Sequence, residues 1–269
     1  MMEQIASRQN ALVKHLKKLA DSKRMRSSSA QILAEGAHLL QIQLAAGRQP
    51  EVVALAERAA SDDEVIALLR RCTHARVVVL PDPIFDQIAL TDSPSGLMTV
   101  SALPIPEGHP DQLIDTLVLD RVQDPGNVGS LIRTAVAAGI RQIVLSAGCA
   151  DAWSPRCLRA GQGAQWLSTV YSDVDLAAFL ERYPGAIAAT LLEGGAPLYT
   201  QDLRQPTAWL FGNEGQGLEP VLSAVATHRI TIPMPGGMES LNVNAAAAVC
   251  LFEQGRQRHF ATAGAALRD

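Results

Sequence analysis

The sequence predicts an α/β protein of two domains: a smaller N-terminal α/β domain over 1–101, a linker at 102–112, and a parallel-sheet domain over 113–269. Three observations carry that prediction. Beyond residue 113, β-rich runs alternate strictly with helical patterns. Pro104, Pro106 and Pro110 fall within ALPIPEGHPDQ, a density that neither a helix nor a central strand tolerates. Three Gly/Asn-rich segments, LDRVQDPGNVGSLIRTA (119–135), LFGNEGQGLEP (210–220) and IPMPGGMESLNVNAAAAV (232–249), each stand where a strand hands over to a helix. Open α/β folds place ligand sites in loops at the carboxyl ends of parallel strands, so three such loops predict one composite site.

The elements follow in order. Leu12, Leu16 and Leu19 make a helical stripe beside Lys14, Lys17 and Lys18. QILAEG (31–36) reads as a strand and turn, and AHLLQIQLAAG as a helix ending on Gly47. VVALA (52–56) and RVVVL (76–80) are β-branched strands flanking the helix DDEVIALLRR, and GLMTVSAL (96–103) closes the series. After the linker, strands are expected at 116–120, 142–146, 186–192, 208–211 and 229–232, and helices near 128–138, 174–183, 218–226 and 242–258. Such alternation implies a parallel sheet covered on both faces. The last helix carries an apolar stripe of Val243, Ala246, Ala247, Cys250 and Leu251, widened by Ala245 and Ala248. So broad a small-residue surface predicts close packing against another backbone, within the subunit or in a homodimer.

Composition narrows the class. A hydrophobic content of 48% supports a real core, and 19% charged residues is ordinary for a folded chain. Cys72, Cys149, Cys157 and Cys250 show no CxxC, and the six His residues show no ligand spacing, so neither a metal site nor a disulfide framework is expected. Without a signal-type or membrane-length apolar segment, the expectation is a soluble, cytoplasmic protein with no membrane partner. The net charge of −4 conceals an asymmetry. Residues 1–48 hold eight basic against three acidic residues, a balance of +5, and the rest of the chain carries −9. A basic face of Lys14, Lys17, Lys18, Lys23, Arg24 and Arg26 on an acidic body fits a local polyanion contact such as RNA, or simply a solvated amphipathic helix. Only 4% of residues are aromatic, so base stacking is not the main device.

The usual nucleotide signatures are missing. No GxxxxGK[ST] occurs, and Gly212, Gly215 and Gly217 stand in the wrong order for GxGxxG. A P-loop NTPase, a common dehydrogenase and a Rossmann-type methyltransferase are disfavoured. The three segments instead resemble the signature motifs of the SpoU (TrmH-like) class of RNA 2′-O-ribose methyltransferases, in the knotted SPOUT superfamily. The first motif is carried by Asn127, Gly129 and Ile132-Arg133-Thr134; the second by Phe211-Gly212-Asn213-Glu214-Gly215 with Gly217-Leu218. The third comprises Ile232-Pro233-Met234 and Glu239-Ser240-Leu241-Asn242-Val243. The N-terminal SRQNALVKHLKKL and ILAEGAHLL also resemble the substrate-binding domain that precedes this fold in many members. Asn244 departs from the pattern, where Ser or another small residue is expected.

The resemblance implies a trefoil knot in the C-terminal half, a homodimer, and S-adenosylmethionine held by Gly212, Ile232 and Leu241. It also implies Arg133 near a ribose 2′-hydroxyl, with Asn127, Glu214, Ser240 and Asn242 positioning the reacting groups. A guanidinium hardly deprotonates in proteins, so Arg133 suits a cation that orients the hydroxyl and lowers its pKa. Each residue also has a plain structural reading. Asn127 and Asn242 precede helices and suit N-caps, Arg133 a solvated helix position and Glu214 a loop charge; Ile232 and Leu241 suit a core. Ribosomal RNA is the expected substrate and tRNA the nearest competitor. A catalytically silent RNA-binding or ribosome-assembly factor is the different-class alternative, against which the intact motif residues argue.

Overall fold

A computed structural model describes residues 2–91 and 93–259. Its contacts divide the chain into two compact units, Met1–Pro104 with Trp153–Trp166, and Ile105–Ala152 with Leu167–Asp269.

The first unit is built on a mixed five-stranded sheet. Its strands are β1 (Glu3–Gln4), β2 (Gln31–Glu35), β3 (Val52–Ala56), β4 (Arg76–Leu80) and β5 (Leu97–Ala102), in the spatial order β1-β4-β3-β5-β2. β5 runs antiparallel to both β2 and β3. Alternation along β3 sends Ala54 and Ala56 into one core with Leu16, Leu19, Leu33 and Phe85, while Val53 and Leu55 enter the other with Leu40 and Leu68. Helix α1 (Ala11–Asp21) starts at Asn10, whose side chain accepts from Leu12 N, and buries Val13, Leu16 and Leu19. Fully buried leucines of this kind each contribute about 1.5–3 kcal/mol. Leu16 and Leu19 of the expected stripe are thus inside, while Val13 takes the place of Leu12, which is only half-buried. Helices α2 (Lys23–Ser29), α3 (Ala37–Ala45), α4 (Asp63–Leu69) and α5 (Asp82–Asp86) complete the unit's N-terminal part.

The second unit carries a seven-stranded, wholly parallel sheet. Its first elements are β6 (Thr116–Leu119), α6 (Pro125–Ala137) and β7 (Gln142–Leu145). The chain then contributes α7 (Pro155–Ala160) to the first unit, where it packs on β2. It returns through β8 (Thr169–Tyr171), α8 (Leu176–Glu181), β9 (Ala186–Thr190), β10 (Ala196–Pro197), β11 (Thr207–Phe211), α9 (Pro220–Ala224), β12 (His228–Thr231) and α10 (Val243–His259). The spatial order is β10-β12-β9-β11-β6-β7-β8. All five residues of β11 and all four of β6 are buried, the continuous apolar run that a sheet covered on both faces requires. Winding goes outward from β6 through β7 to β8, and the remaining strands lie on the other side. The order therefore reverses between β6 and β11, the position at which open α/β sheets hold ligands.

Helix α10 takes up the first of the two placements expected for its small-residue stripe, packing within the subunit. Ala247, Cys250 and Leu251 are fully buried inside the subunit, where α10 packs on α6. Ala245 is exposed, and Val243, Ala246 and Ala248 of the same stripe are half-buried. Ala245 and Phe252, the latter 55% exposed, are among the residues that the helix turns outward. Gln254 is buried below them because its amide is matched: Trp209 Nε1 donates to Oε1 at 2.9 Å, and Nε2 donates to Thr207 Oγ1 at 3.0 Å.

Candidate active site

The site assembles at the carboxyl ends of β6, β9, β11 and β12, and each loop has its own reason for its shape. β6 is followed by Asp120, which is 1% exposed. Its carboxylate accepts from Glu219 N at 2.8 Å and from the Arg121 guanidinium at 3.0 and 3.1 Å, tying the first loop to the second. Arg121 also pairs with Glu219 at 3.1 Å. Helix α6 is capped by Asp124, whose Oδ1 accepts from Asn127 N at 2.8 Å, with Pro125 in the first turn. The cap is therefore Asp124, and the Asn127 side chain is left for other work.

After β11 the chain turns on Gly212. A Cβ there would overlap the backbone of Gly217 and Leu218, so the residue must be glycine. Asn213 organises the rest of the turn: its Oδ1 accepts from Gly215 N and Gln216 N at 3.0 Å each, and its Nδ2 donates to Arg121 O at 2.9 Å. Asn213 and Gly217 also exchange backbone hydrogen bonds. In the third loop, Asn242 Oδ1 accepts from Asn244 N at 2.9 Å and its carbonyl accepts from Ala246 N, so Asn242 does start α10.

The second and third loops, with the end of β9, enclose a cavity of about 530 Å³, within the range of small-molecule sites. Gly212, Glu214, Ile232, Ser240, Leu241 and Asn242, all anticipated from the sequence, line it together. Asn127 stands behind the lining and donates from Nδ2 to Glu214 Oε1 at 2.9 Å. Burial alone would raise the Glu214 carboxyl; the Asn127 amide and the N–H groups of Gln123 and Asp124 outweigh it and hold the group below the ordinary glutamate value. Glu214 is thus a fixed anion at neutral pH. Arg133 is not brought into the cavity: it is exposed on α6 and makes no hydrogen bond or ion pair among the described residues.

Sequence reasoning passed over Thr190, Leu191 and Leu192, which close one wall at the end of β9. Their signal was the position of that strand beside β11, which a sequence does not display. It also passed over the Asp120–Arg121–Glu219 clamp, whose members are spread over two motifs.

On the first unit, Lys14, Lys17, Lys18, Lys23 and Arg24 are exposed, in keeping with a basic face. Arg26 is not part of it. It is 5% exposed, and its Nη1 donates to Leu19 O at 2.6 Å and to Ala20 O at 3.3 Å, closing the end of α1.

Fold and site together define a parallel-sheet protein with a glycine-rich small-molecule cleft at the carboxyl ends of β9, β11 and β12. The SpoU rRNA Methylase family matches residues 115–252, and the MRM3-like substrate binding domain matches residues 10–99. The chain belongs to the SpoU rRNA methylase family. It is 34% identical over 260 residues to an uncharacterized tRNA/rRNA methyltransferase of Synechocystis, covering 94% of both chains. It is 32% identical to the 23S rRNA (guanosine(2553)-2'-O)-methyltransferase RlmP of Bacillus subtilis, covering 93% of this chain and 98% of that one. Among solved structures, the AdoMet-bound rRNA methyltransferase from Sinorhizobium meliloti superposes with a TM-score of 0.80 at 27% identity, covering 95% and 98% of the two chains.

Proposed function

We propose that this protein methylates a ribose 2′-hydroxyl of ribosomal RNA with S-adenosylmethionine as donor. The observation that carries the reading is that Glu214 of the second motif lines one cavity with Ser240 and Asn242 of the third and is held there by Asn127 of the first.

The residues present suit the cofactor. Gly212 lets the turn close on the Gly217–Leu218 backbone at the cavity edge, and Ile232, Leu241 and Met234 supply apolar walls suited to an adenine. When bound, S-adenosylmethionine supplies a methyl group on a sulfonium centre. The chain's own residues do the rest. Gly212, Ile232 and Leu241 hold the donor. Glu214 places a fixed negative charge at the cavity wall, and Ser240 and the free amide nitrogen of Asn242 can hydrogen-bond the ribose. Arg133 keeps its proton and stabilises the charge that develops on the 2′-oxygen, whose proton leaves to solvent.

Because Arg133 does not line the cavity of its own chain, this reading includes a homodimer in which Arg133 serves the partner's cleft. The outward Ala245 and Phe252 of α10 are available for that contact, and the trefoil threading implied by the motifs belongs to the same reading. Lys14, Lys17, Lys18, Lys23 and Arg24 bind RNA phosphates in a substrate-binding domain that ends before the proline-rich segment. No helix among the described residues is long and apolar enough to cross a membrane, and no metal-binding cluster occurs among them. Neither is needed for this chemistry, and the reading places the enzyme in the cytoplasm.

The test is transfer of a labelled methyl group from S-adenosylmethionine to ribosomal RNA and to tRNA. Label in ribosomal RNA supports the reading; label in tRNA alone reassigns the substrate; label in neither leaves an RNA-binding factor on this fold. Mixing inactive Arg133→Ala and Glu214→Gln subunits tests the shared site. Restored activity is expected, and a mixture as inactive as its components would contradict the homodimer.

A further inference from the structure

The cleft contains a hydrogen-bond relay that spans the three motifs. Asn244, in the first turn of α10, donates from Nδ2 to Asn127 Oδ1 at 2.7 Å, and Asn127 donates from Nδ2 to Glu214 Oε1 at 2.9 Å. Its direction is dictated by Glu214. An ionised carboxylate only accepts, so Asn127 must turn its amide nitrogen toward it and its carbonyl away. Whatever faces that carbonyl has to be a donor, and Asn244 is. The Asn244 backbone is fixed in turn by the Asn242 side chain.

The placement is not explained by packing. Asn244 Oδ1 is buried with no partner among the described residues, an arrangement that disfavours asparagine at a purely structural position. Alanine or serine would fit the first turn without stranding an acceptor. Asn244 leaves its carbonyl orphaned while its amide nitrogen sets the orientation of Asn127.

We propose that Asn244 is a positioning residue that acts through Asn127 to fix the Glu214 carboxylate at the cavity wall. The proposal rests on the reading of the cleft as a methyl-transfer site. Asn244 itself does not line the cavity, and Asn127 stands between it and Glu214. Substituting aspartate at 244 keeps the shape and removes the donor. Asn127 would then turn its nitrogen toward residue 244, set its carbonyl against Glu214, and release the carboxylate.

The experiment compares Asn244→Asp, Asn244→Ala, Asn127→Ala and Asn127→Ala/Asn244→Ala in the full chain. Affinity for S-adenosylmethionine should stay within about threefold, because Gly212, Ile232 and Leu241 are untouched, while kcat on ribosomal RNA falls by about tenfold to a hundredfold as Glu214 loses its placement. Asn244→Asp should be slower than Asn244→Ala, an order that loss of bulk alone would not produce. The double variant should be no slower than Asn127→Ala, since Asn244 has no other route to the site. Additive losses, or an Asn244→Asp variant as fast as wild type, would overturn the proposal. The Asn127 side-chain amide protons, followed by NMR without donor or RNA, provide a reading independent of activity. They should show nuclear Overhauser contacts to the Glu214 side chain in wild type that are lost in Asn244→Asp, where the nitrogen leaves Glu214 for residue 244; contacts that persist would overturn the relay. If the wild type transfers no methyl group to ribosomal RNA, the functional reading fails while the contacts seen by NMR still decide the relay.

Discussion

The two units treat their polar side chains in opposite ways. On α1 of the first unit, Lys14, Lys17 and Lys18 stand in solvent with no hydrogen bond or ion pair among the described residues. In the cleft of the second, Asn127, Asn213, Glu214, Asn242 and Asn244 all carry hydrogen bonds that shape or join the loops. A surface of the first kind acts by the sum of its charges and tolerates the loss of any one. A site of the second kind depends on the placement of each group, so a single change spreads through it. Arg133 and Arg26 are the informative exceptions. One is an unpartnered cation on the unit that holds the cleft, the other a fully engaged cation on the unit that carries the basic face.

The largest effect that would sharpen this contrast is expected at Arg133. Arg133→Ala should lower methyl transfer by about 10²–10³-fold, the usual cost of removing a group that stabilises developing charge, with the affinity for S-adenosylmethionine unchanged. Near-wild-type turnover would remove Arg133 from the mechanism. Gly212→Ala comes next. Its Cβ would meet the Gly217 and Leu218 backbone, forcing the loop open at a cost of about 1–3 kcal/mol. Calorimetry should find donor binding abolished while the first unit still melts normally.

Arg26→Ala should destabilise the protein by about 1.5–3 kcal/mol, because a charged donor to two helix-terminal carbonyls is removed. Once folding is restored at lower temperature, RNA affinity should be unaffected. An RNA defect without a stability defect would return Arg26 to the basic face. The smallest effect is expected from replacing Lys14, Lys17 and Lys18 together with alanine. Binding should weaken, and the slope of log affinity against log salt should become shallower by about 0.7–0.9 for each phosphate that is no longer neutralised. An unchanged slope would break the comparison on the side of the first unit.

How much of this was legible in the sequence depended on how many residues carried each signal. The buried strands of the second unit were readable because each is a continuous apolar run flanked by turn residues. β8 and β10, three and two residues long, carry too little pattern to announce themselves. α2 was missed because KRMRSSS has no apolar stripe, and with it the fact that Arg26 folds back on the end of α1. Charge counting treats that guanidinium like its neighbours; only the backbone geometry distinguishes them. The small-residue face of α10 was recognised correctly as a packing surface, but periodicity cannot say whose backbone lies against it, and α6 of the same chain does. In the cleft, Glu214 and Asn127 were identifiable as motif members, whereas Asn244 stood out only as a departure. Its partner lies 117 residues away, a proximity that no local spacing encodes.

The central claim is that the cleft places a ribose 2′-oxygen, rather than a base, against the donor. Alkaline hydrolysis tests it directly, since cleavage of RNA by base needs a free 2′-hydroxyl beside the phosphate. Ribosomal RNA labelled by the wild-type protein with radioactive S-adenosylmethionine should release its label in alkali-resistant dinucleotides. Recovery of the label in ordinary mononucleotides would mean a methylated base and would contradict the account.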